Sequence, residues 1–180
     1  ELFLEEHLFK NLSVLLKSIC PEAAIFSAEM EESIQEYNNE ELSIEYAKLF
    51  VGPFELKAPP YGSVYLNGER KVMGDSTMEV IKMYHDKGLS MDEDFKELPD
   101  HIAVELEFMN YMIYKEIDTC MNSKLEDVIE VLKYQELFLI KYLGAWVSNF
   151  SNSSVLRRNS ITSLTICSLV LSSSFILCIY

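Results

Sequence analysis

Three carboxylates and an imidazole gather around one proline in this chain. Glu97-Leu98-Pro99-Asp100-His101 leads directly into Ile102-Ala103-Val104-Glu105-Leu106-Glu107-Phe108-Met109. His101 with Asp100 and Glu105 has the residue types for acid–base work or a metal site. His7 and His85 lie in unrelated segments, and no His-Glu-x-x-His pair supplies further ligands. The plainer reading is a capped, hydrogen-bonded helix start. Nucleophilic chemistry finds no Gly-x-Ser-x-Gly and no cysteine in a basic or His-adjacent setting. Phosphate binding finds no glycine-rich loop, since Asn67-Gly68-Glu69-Arg70-Lys71 reads as a surface turn. Holding a ligand suits these residues better than turning one over.

The elements that position the motif read as helices. Pro99 suits a first helical turn, where its missing N–H has no partner to lose. Asp100, Glu97 and Glu105 place negative charge at the positive end of the helix dipole. His101 and Glu105, four apart, share a face, with Ile102, Leu106, Met109 and Ile113 as a buried stripe. Upstream, Leu8, Leu12, Leu15, Leu16 and Ile19 predict an amphipathic helix ending before Pro21. Residues from Ala23 to about Tyr37 continue as helix, and Asn39 is placed to cap the next one. In that helix Leu42, Tyr46, Leu49 and Phe50 point one way until Gly52-Pro53 stops it. The stretch from about 52 to 75, with Pro59-Pro60-Tyr61-Gly62, reads as one long ordered loop, too aromatic to be an idle linker. Ser76-Thr77-Met78-Glu79 reads as a capping box, with Val80, Ile81 and Tyr84 inward and Gly88 at the helix end. Ser123-Lys124-Leu125-Glu126 reads as another, opening a helix buried along Leu125, Val128, Ile129, Leu132, Leu139, Leu143 and Trp146. The expected fold is an all-α, single-domain helical bundle over residues 1–150.

Composition narrows the partners. The 180 residues carry a net charge of −14, which disfavours nucleic acid and favours a basic peptide or cationic surface. Four scattered cysteines, Cys20, Cys120, Cys167 and Cys178, form no zinc or redox spacing and fit a reducing cytoplasm. The chain opens at Glu1 inside a helical pattern, so a truncated N-terminus is expected.

Residues 151–180 differ in kind. All 29 acidic residues precede them, and Arg157-Arg158 is followed by an uncharged Ser/Leu/Ile-rich run. Taken literally, that run makes a diluted membrane span, and a membrane-anchored acidic adaptor is the alternative function. The favoured account is a shift of reading frame. One permitted codon set for Leu156–Leu169, read one base earlier, encodes an acidic amphipathic helix in the style of the preceding 150 residues.

Several blocks then resemble the TorD/DmsD family of redox-enzyme maturation chaperones. Glu97–Met109 is similar to its Glu-x-Pro-x-Asp-His-type signature, here with Asp and His directly after Pro. Glu45-Tyr46-Ala47-Lys48-Leu49-Phe50-Val51-Gly52-Pro53 and Pro59-Pro60-Tyr61-Gly62-Ser63-Val64-Tyr65-Leu66 also fit. So do Val72-Met73-Gly74-Asp75-Ser76-Thr77 and Leu143-Gly144-Ala145-Trp146-Val147-Ser148-Asn149-Phe150. The resemblance covers about residues 1–150 and stops where the composition changes.

The resemblance implies a cytoplasmic, non-enzymatic chaperone without a cofactor. It would bind the twin-arginine signal peptide, the apo form of a molybdopterin oxidoreductase catalytic subunit, or both, before cofactor insertion and export. It further implies Asp100 and His101 as peptide-contacting or groove-shaping residues, with Glu97 and Glu105 supplying charge. Tyr61, Tyr65 and Phe50 would form the wall, and Pro99, Gly52, Pro53, Pro60 and Trp146 the structural frame. An equally weighted reading makes Pro99-Asp100-His101 a hinge between helical halves. A homodimer is left open, and GTP, bound weakly by some members, is not expected without a phosphate cradle.

Overall fold

The computed structural model describes residues 7–51, 56, 58–68, 71–92 and 95–155, with side chains up to 152. The chain is all-α, as the periodicity predicts. No strand occurs among the described residues, and Tyr61 and His101 form an isolated antiparallel bridge. Residues 7–58 and 151–155 belong to one compact unit and residues 59–150 to another. Gly52, Pro53 and the tail beyond 155 lie outside the described residues, as does the reading of that tail as an anchor or a frame shift. No described helix is long and apolar enough to cross a membrane.

In the first unit, α1 (Leu8–Leu16), α2 (Pro21–Ile34) and α3 (Asn39–Tyr46) follow in order, and α3 continues as a π-helical turn, Ala47–Val51. Small residues set how α1 meets α2. Ser13 donates to the Ala24 carbonyl at 2.9 Å and Ser27 to the Phe9 carbonyl at 2.7 Å. These bonds satisfy the buried hydroxyls and let the backbones approach closely. The buried face is therefore Phe9, Ser13, Ala24 and Ser27, while Leu12, Leu15 and Ile19, expected inside, are exposed. The cap of α3 falls one residue earlier than expected. Asn38 accepts from the Glu41 N–H at 3.0 Å, and Glu41 accepts from the Asn38 N–H at 3.1 Å. Leu49 and Phe50 are buried as the pattern indicates.

The second unit comprises α4 (Gly62–Leu66), α5 (Asp75–Asp86), α6 (Ile102–Asn122), α7 (Leu125–Phe138) and a π-helical turn, Leu139–Leu143. It closes with the start of α8 (Gly144–Val155). Its core is aromatic: the Tyr84 and Phe108 rings lie 4.8 Å apart, and Phe108 and Phe138 4.7 Å. Such pairs add to the apolar area they bury. Tyr134 donates to the Met83 carbonyl at 2.9 Å, tying α7 to α5. At the end of α5, Gly88 takes φ +77°, and the Leu89 N–H reaches back to the Tyr84 carbonyl at 3.1 Å.

Several local expectations shift here. The segment read as one loop contains α4, because Asp100 supplies a cap from outside the sequence window. Ser76-Thr77-Met78-Glu79 does not cap α5, which starts after Gly74. Ser76 and Thr77 are buried in its first turn, and Glu79 accepts from Tyr142 at 3.0 Å and pairs with Lys141 at 2.8 Å. Before α7, Asp127 rather than Glu126 accepts the Lys124 N–H, at 3.2 Å. Helix α6 begins at Ile102, leaving Pro99 and Asp100 in the preceding turn, and its buried face is Ile102, Glu105, Phe108, Met109 and Met112. Ile113, Leu125, Ile129, Leu132 and Leu139 are exposed, whereas Leu143 and Trp146 are buried.

Candidate functional site

The motif around Pro99 folds into a buried clamp. Residues 60–62 run antiparallel to 100–102, with the Gly62 N–H on the Asp100 carbonyl and the Ile102 N–H on the Pro60 carbonyl, both at 2.9 Å. The pair leaves the first turns of α4 and α6 side by side. Asp100 Oδ2 then accepts the Ser63 N–H at 2.7 Å, satisfying a donor that α4 leaves unpaired at its start. Asp100 Oδ1 is buried without a hydrogen-bond partner.

His101 caps α6 itself: its Nδ1 accepts the Ala103 N–H at 3.2 Å. That bond requires an unprotonated Nδ1. Burial holds the imidazole below its ordinary pKa, while Glu97 and Asp100 push the other way. The ring meets Tyr61 edge-on, with centroids 5.3 Å apart. The Tyr61 hydroxyl donates to Glu97 Oε2 at 2.9 Å, and the Tyr84 hydroxyl to the Pro99 carbonyl at 2.9 Å.

Glu105 sits on the buried face of α6 and is fully enclosed. Its Oε2 accepts the Trp146 indole N–H at 3.0 Å, and its Oε1 has no hydrogen-bond partner. Burial raises its pKa to about 8, the Trp146 bond opposes the rise, and Asp100 adds to it. Glu105 is thus a neutral acid at pH 7. The side of α6 expected to join it to His101 instead directs it to Trp146, on whose other neighbour, Tyr65, the indole stacks at 5.6 Å. Gly62 makes room for the pair. A Cβ there would lie 2.9 Å from Trp146 Nε1 and 3.2 Å from Glu105 Oε1.

The structure thus brings together Glu97, Pro99, Asp100, His101, Glu105, Pro60, Tyr61, Tyr65 and Trp146 in the second unit. Phe50 belongs to the first, where its ring meets Tyr46 at 5.3 Å. Within the cluster, Asp100 (1% exposed), His101 (4%) and Glu105 (0%) are inside, whereas Glu97, Pro99, Tyr61 and Tyr65 are half-buried. Residue-level reading missed Gly62 and Ser63. The Pro-Pro-Tyr-Gly-Ser run marks a turn, but nothing in it announces a carboxylate cap from 37 residues away. The Glu105–Trp146 bond had a signal: Glu105 lies three residues after Ile102 and four before Met109, on the apolar stripe. No group of three or more His, Cys, Asp or Glu residues among those described is arranged to hold a metal ion. The arrangement bonds the side chains of Asp100, His101 and Glu105 to groups of the protein itself. It can fix the shape of a surface.

Comparison with known proteins finds relatives by sequence. The sequence model of the family described as "Nitrate reductase delta subunit" matches residues 17–152. The chaperone protein TorD of Vibrio parahaemolyticus is 32% identical over 112 residues, covering 62% of this chain and 50% of the relative. TorD of Vibrio atlanticus is 33% identical over 114 residues, with the same coverage. The Tat proofreading chaperone DmsD of Salmonella typhi is 31% identical over 90 residues, covering 50% of this chain and 40% of the relative. The chain therefore spans about half the length of the relatives it matches.

Proposed function

This chain belongs to the TorD/DmsD family, whose sequence model carries the description nitrate reductase delta subunit, and we propose on that footing that it is a cytoplasmic maturation chaperone for a molybdopterin-containing reductase. It holds the client's twin-arginine signal peptide, its apoenzyme, or both, until the cofactor is inserted. The observation that carries the reading is the family match across 17–152, which takes in the whole Pro60–Gly62 and Asp100–Ile102 clamp. The chemistry suits the role. A leader with two arginines and an apolar run asks for carboxylate and aromatic surface side by side. Glu97 with Tyr61 and Tyr65 presents both at the half-buried edge of the cluster. Asp100, His101 and Glu105 act beneath that edge, and their burial favours the groove-shaping role over direct contact.

Two measurements test the proposal. Tagged chain is expected to co-purify with a molybdopterin reductase catalytic subunit from cells unable to make the cofactor, and to release it when cofactor synthesis is restored. A synthetic twin-arginine leader is expected to bind in titration calorimetry, more weakly as salt rises. A chain that captures no apoenzyme and binds no leader at low salt would remove the function.

A further inference from the structure

The hairpin of α6 and α7 carries an apolar face that the unit's own core does not use. Gln135 of α7 donates to the Met112 carbonyl at 3.1 Å and to Glu116 at 2.9 Å, which fixes the sides on which the two helices meet. Away from that seam, Ile113, Ile117 and Met121 recur at four-residue spacing on α6, with Tyr114 beside them. Leu125, Ile129 and Leu132 form the matching stripe on α7. The helices are antiparallel across the Ser123-Lys124 link, so angle increases in opposite senses on the two. Each stripe stands a quarter to a third of a turn from the seam, and both fall on the same side of the hairpin. All seven side chains are exposed, Met121 by 77% and Leu125 by 70%. A contiguous apolar surface of this kind marks an interaction site.

The charges around it choose the occupant. Asp118 borders Tyr114 and Met121 on α6. Glu126 and Glu130 line the outer edge of the α7 stripe, and Glu136 extends the row Leu125–Ile129–Leu132. Lys133 and, at the link, Lys124 stand against these four acids, which leaves the rim net negative. In a chain of net charge −14, a second copy would bring the same acidic rim onto itself. We propose that this face of α6 and α7 docks a cationic amphipathic helix of a client protein, its apolar side on the Ile113–Met121 and Leu125–Leu132 stripes and its basic flanks against Asp118, Glu126, Glu130 and Glu136. Ile117 lies 15 residues along α6 from Ile102, about 22 Å at 1.5 Å per residue, so the surface is separate from the clamp. It is a helix-in-groove contact read at helical spacing. It goes beyond the leader-binding reading and rests on the proposed function only for the client as the source of the helix.

The test uses the full chain and two designed peptides: a lysine/leucine amphipathic helix and its glutamate/leucine counterpart. Fluorescence anisotropy is expected to show binding of the first only, falling at least tenfold in the double variant Ile117→Ser/Ile129→Ser. Glu126→Lys/Glu130→Lys is expected to weaken binding severalfold and flatten its salt dependence. Both pairs are exposed, and unchanged circular dichroism and melting confirm that the variants fold. Absence of binding, equal binding of both peptides, or binding unaltered by both double variants overturns the proposal. So does a concentration-dependent dimer that Ile117→Ser/Ile129→Ser abolishes, which would assign the face to a second copy. Leader titration on the same variants separates the two readings, since leader affinity is expected to be unchanged by them.

Discussion

Glu105→Gln isolates the contribution of one buried proton. The side chain is enclosed on the core face of α6, with Oε2 on the Trp146 indole N–H at 3.0 Å. Its pKa rises from 4.5 to about 8, chiefly through burial. The native state therefore holds a proton that the unfolded chain releases at about pH 4.5. By linkage, stability falls as pH rises between these two values, because the native state binds more protons there. At about 1.4 kcal/mol per tenfold change in proton affinity, the full window is worth roughly 5 kcal/mol, of which roughly 3 is lost by pH 7. Glutamine keeps a carbonyl oxygen for the indole and fills the same volume, but has no proton to lose. The variant is thus expected to match the parent near pH 4.5 and to exceed it progressively up to pH 8. Beyond pH 8 the gap should stay constant. Urea unfolding at half-unit pH steps reads this directly, and Trp146, the only tryptophan, is the reporter beside the group. Circular dichroism provides a second probe of the same transition. The reasoning is refuted if the two stability curves run parallel from pH 4.5 to 8, or if the variant loses stability at pH 8.

Three further substitutions probe the clamp. Gly62→Ala drives a Cβ to 2.9 Å from Trp146 Nε1 and should cost about 1–3 kcal/mol by overpacking, read as a lowered melting temperature. Asp100→Ala strips the acceptor from the Ser63 N–H and should cost about 1–3 kcal/mol for a buried donor left unmet, with hydrogen exchange at Ser63 accelerating first. Tyr61→Phe removes only the half-buried bond to Glu97, so roughly 0.5–1.5 kcal/mol is expected in urea unfolding. A larger loss would mean that the hydroxyl holds more than Glu97.

The helices of this chain were legible wherever period and breaker agree. Pro21 opens α2, Gly88 closes α5, and Leu49 and Phe50 turn inward at the end of the pattern they finish. The reading slipped where a local rule competes with a partner distant in sequence. Ser76 to Glu79 has the spacing of a capping box, yet Glu79 is engaged by Lys141 and Tyr142, 62 and 63 residues on. The residues Ser63–Leu66 lack a cap of their own, and Asp100 supplies one across the bridge. In α1, leucine spacing pointed to a buried stripe, but two serine hydroxyls with facing carbonyls permit the closer approach. Around the site, sequence gathered the right side chains but not their depth. Pro99-Asp100-His101 reads as a helix start with its charges at the positive end of the dipole, and nothing local shows that residues 60–66 fold over it.

That depth changes how substitutions in the motif are to be read. Asp100, His101 and Glu105 bond Ser63, Ala103 and Trp146, groups of the protein itself, and each is nearly or fully enclosed. A client that never reached these atoms would still depend on them, because Asp100 holds α4 against the first turn of α6, His101 caps α6 and Glu105 ties α6 to Trp146. Loss of client binding in Asp100→Ala would follow from displacement of Tyr61 and Tyr65 as readily as from a lost contact. The two causes separate on stability. A shaping residue loses binding in proportion to the destabilisation of residues 60–66, and recovers it when temperature or an added osmolyte restores that segment. A contact residue, the role proposed for Glu97, which is half-buried beside Tyr61, loses binding with the segment's hydrogen exchange little altered. Paired exchange and leader titration on Asp100→Ala and Glu97→Gln should therefore give opposite patterns. The contact pattern in both would place Asp100 in contact with the client and remove the shaping role argued from its burial.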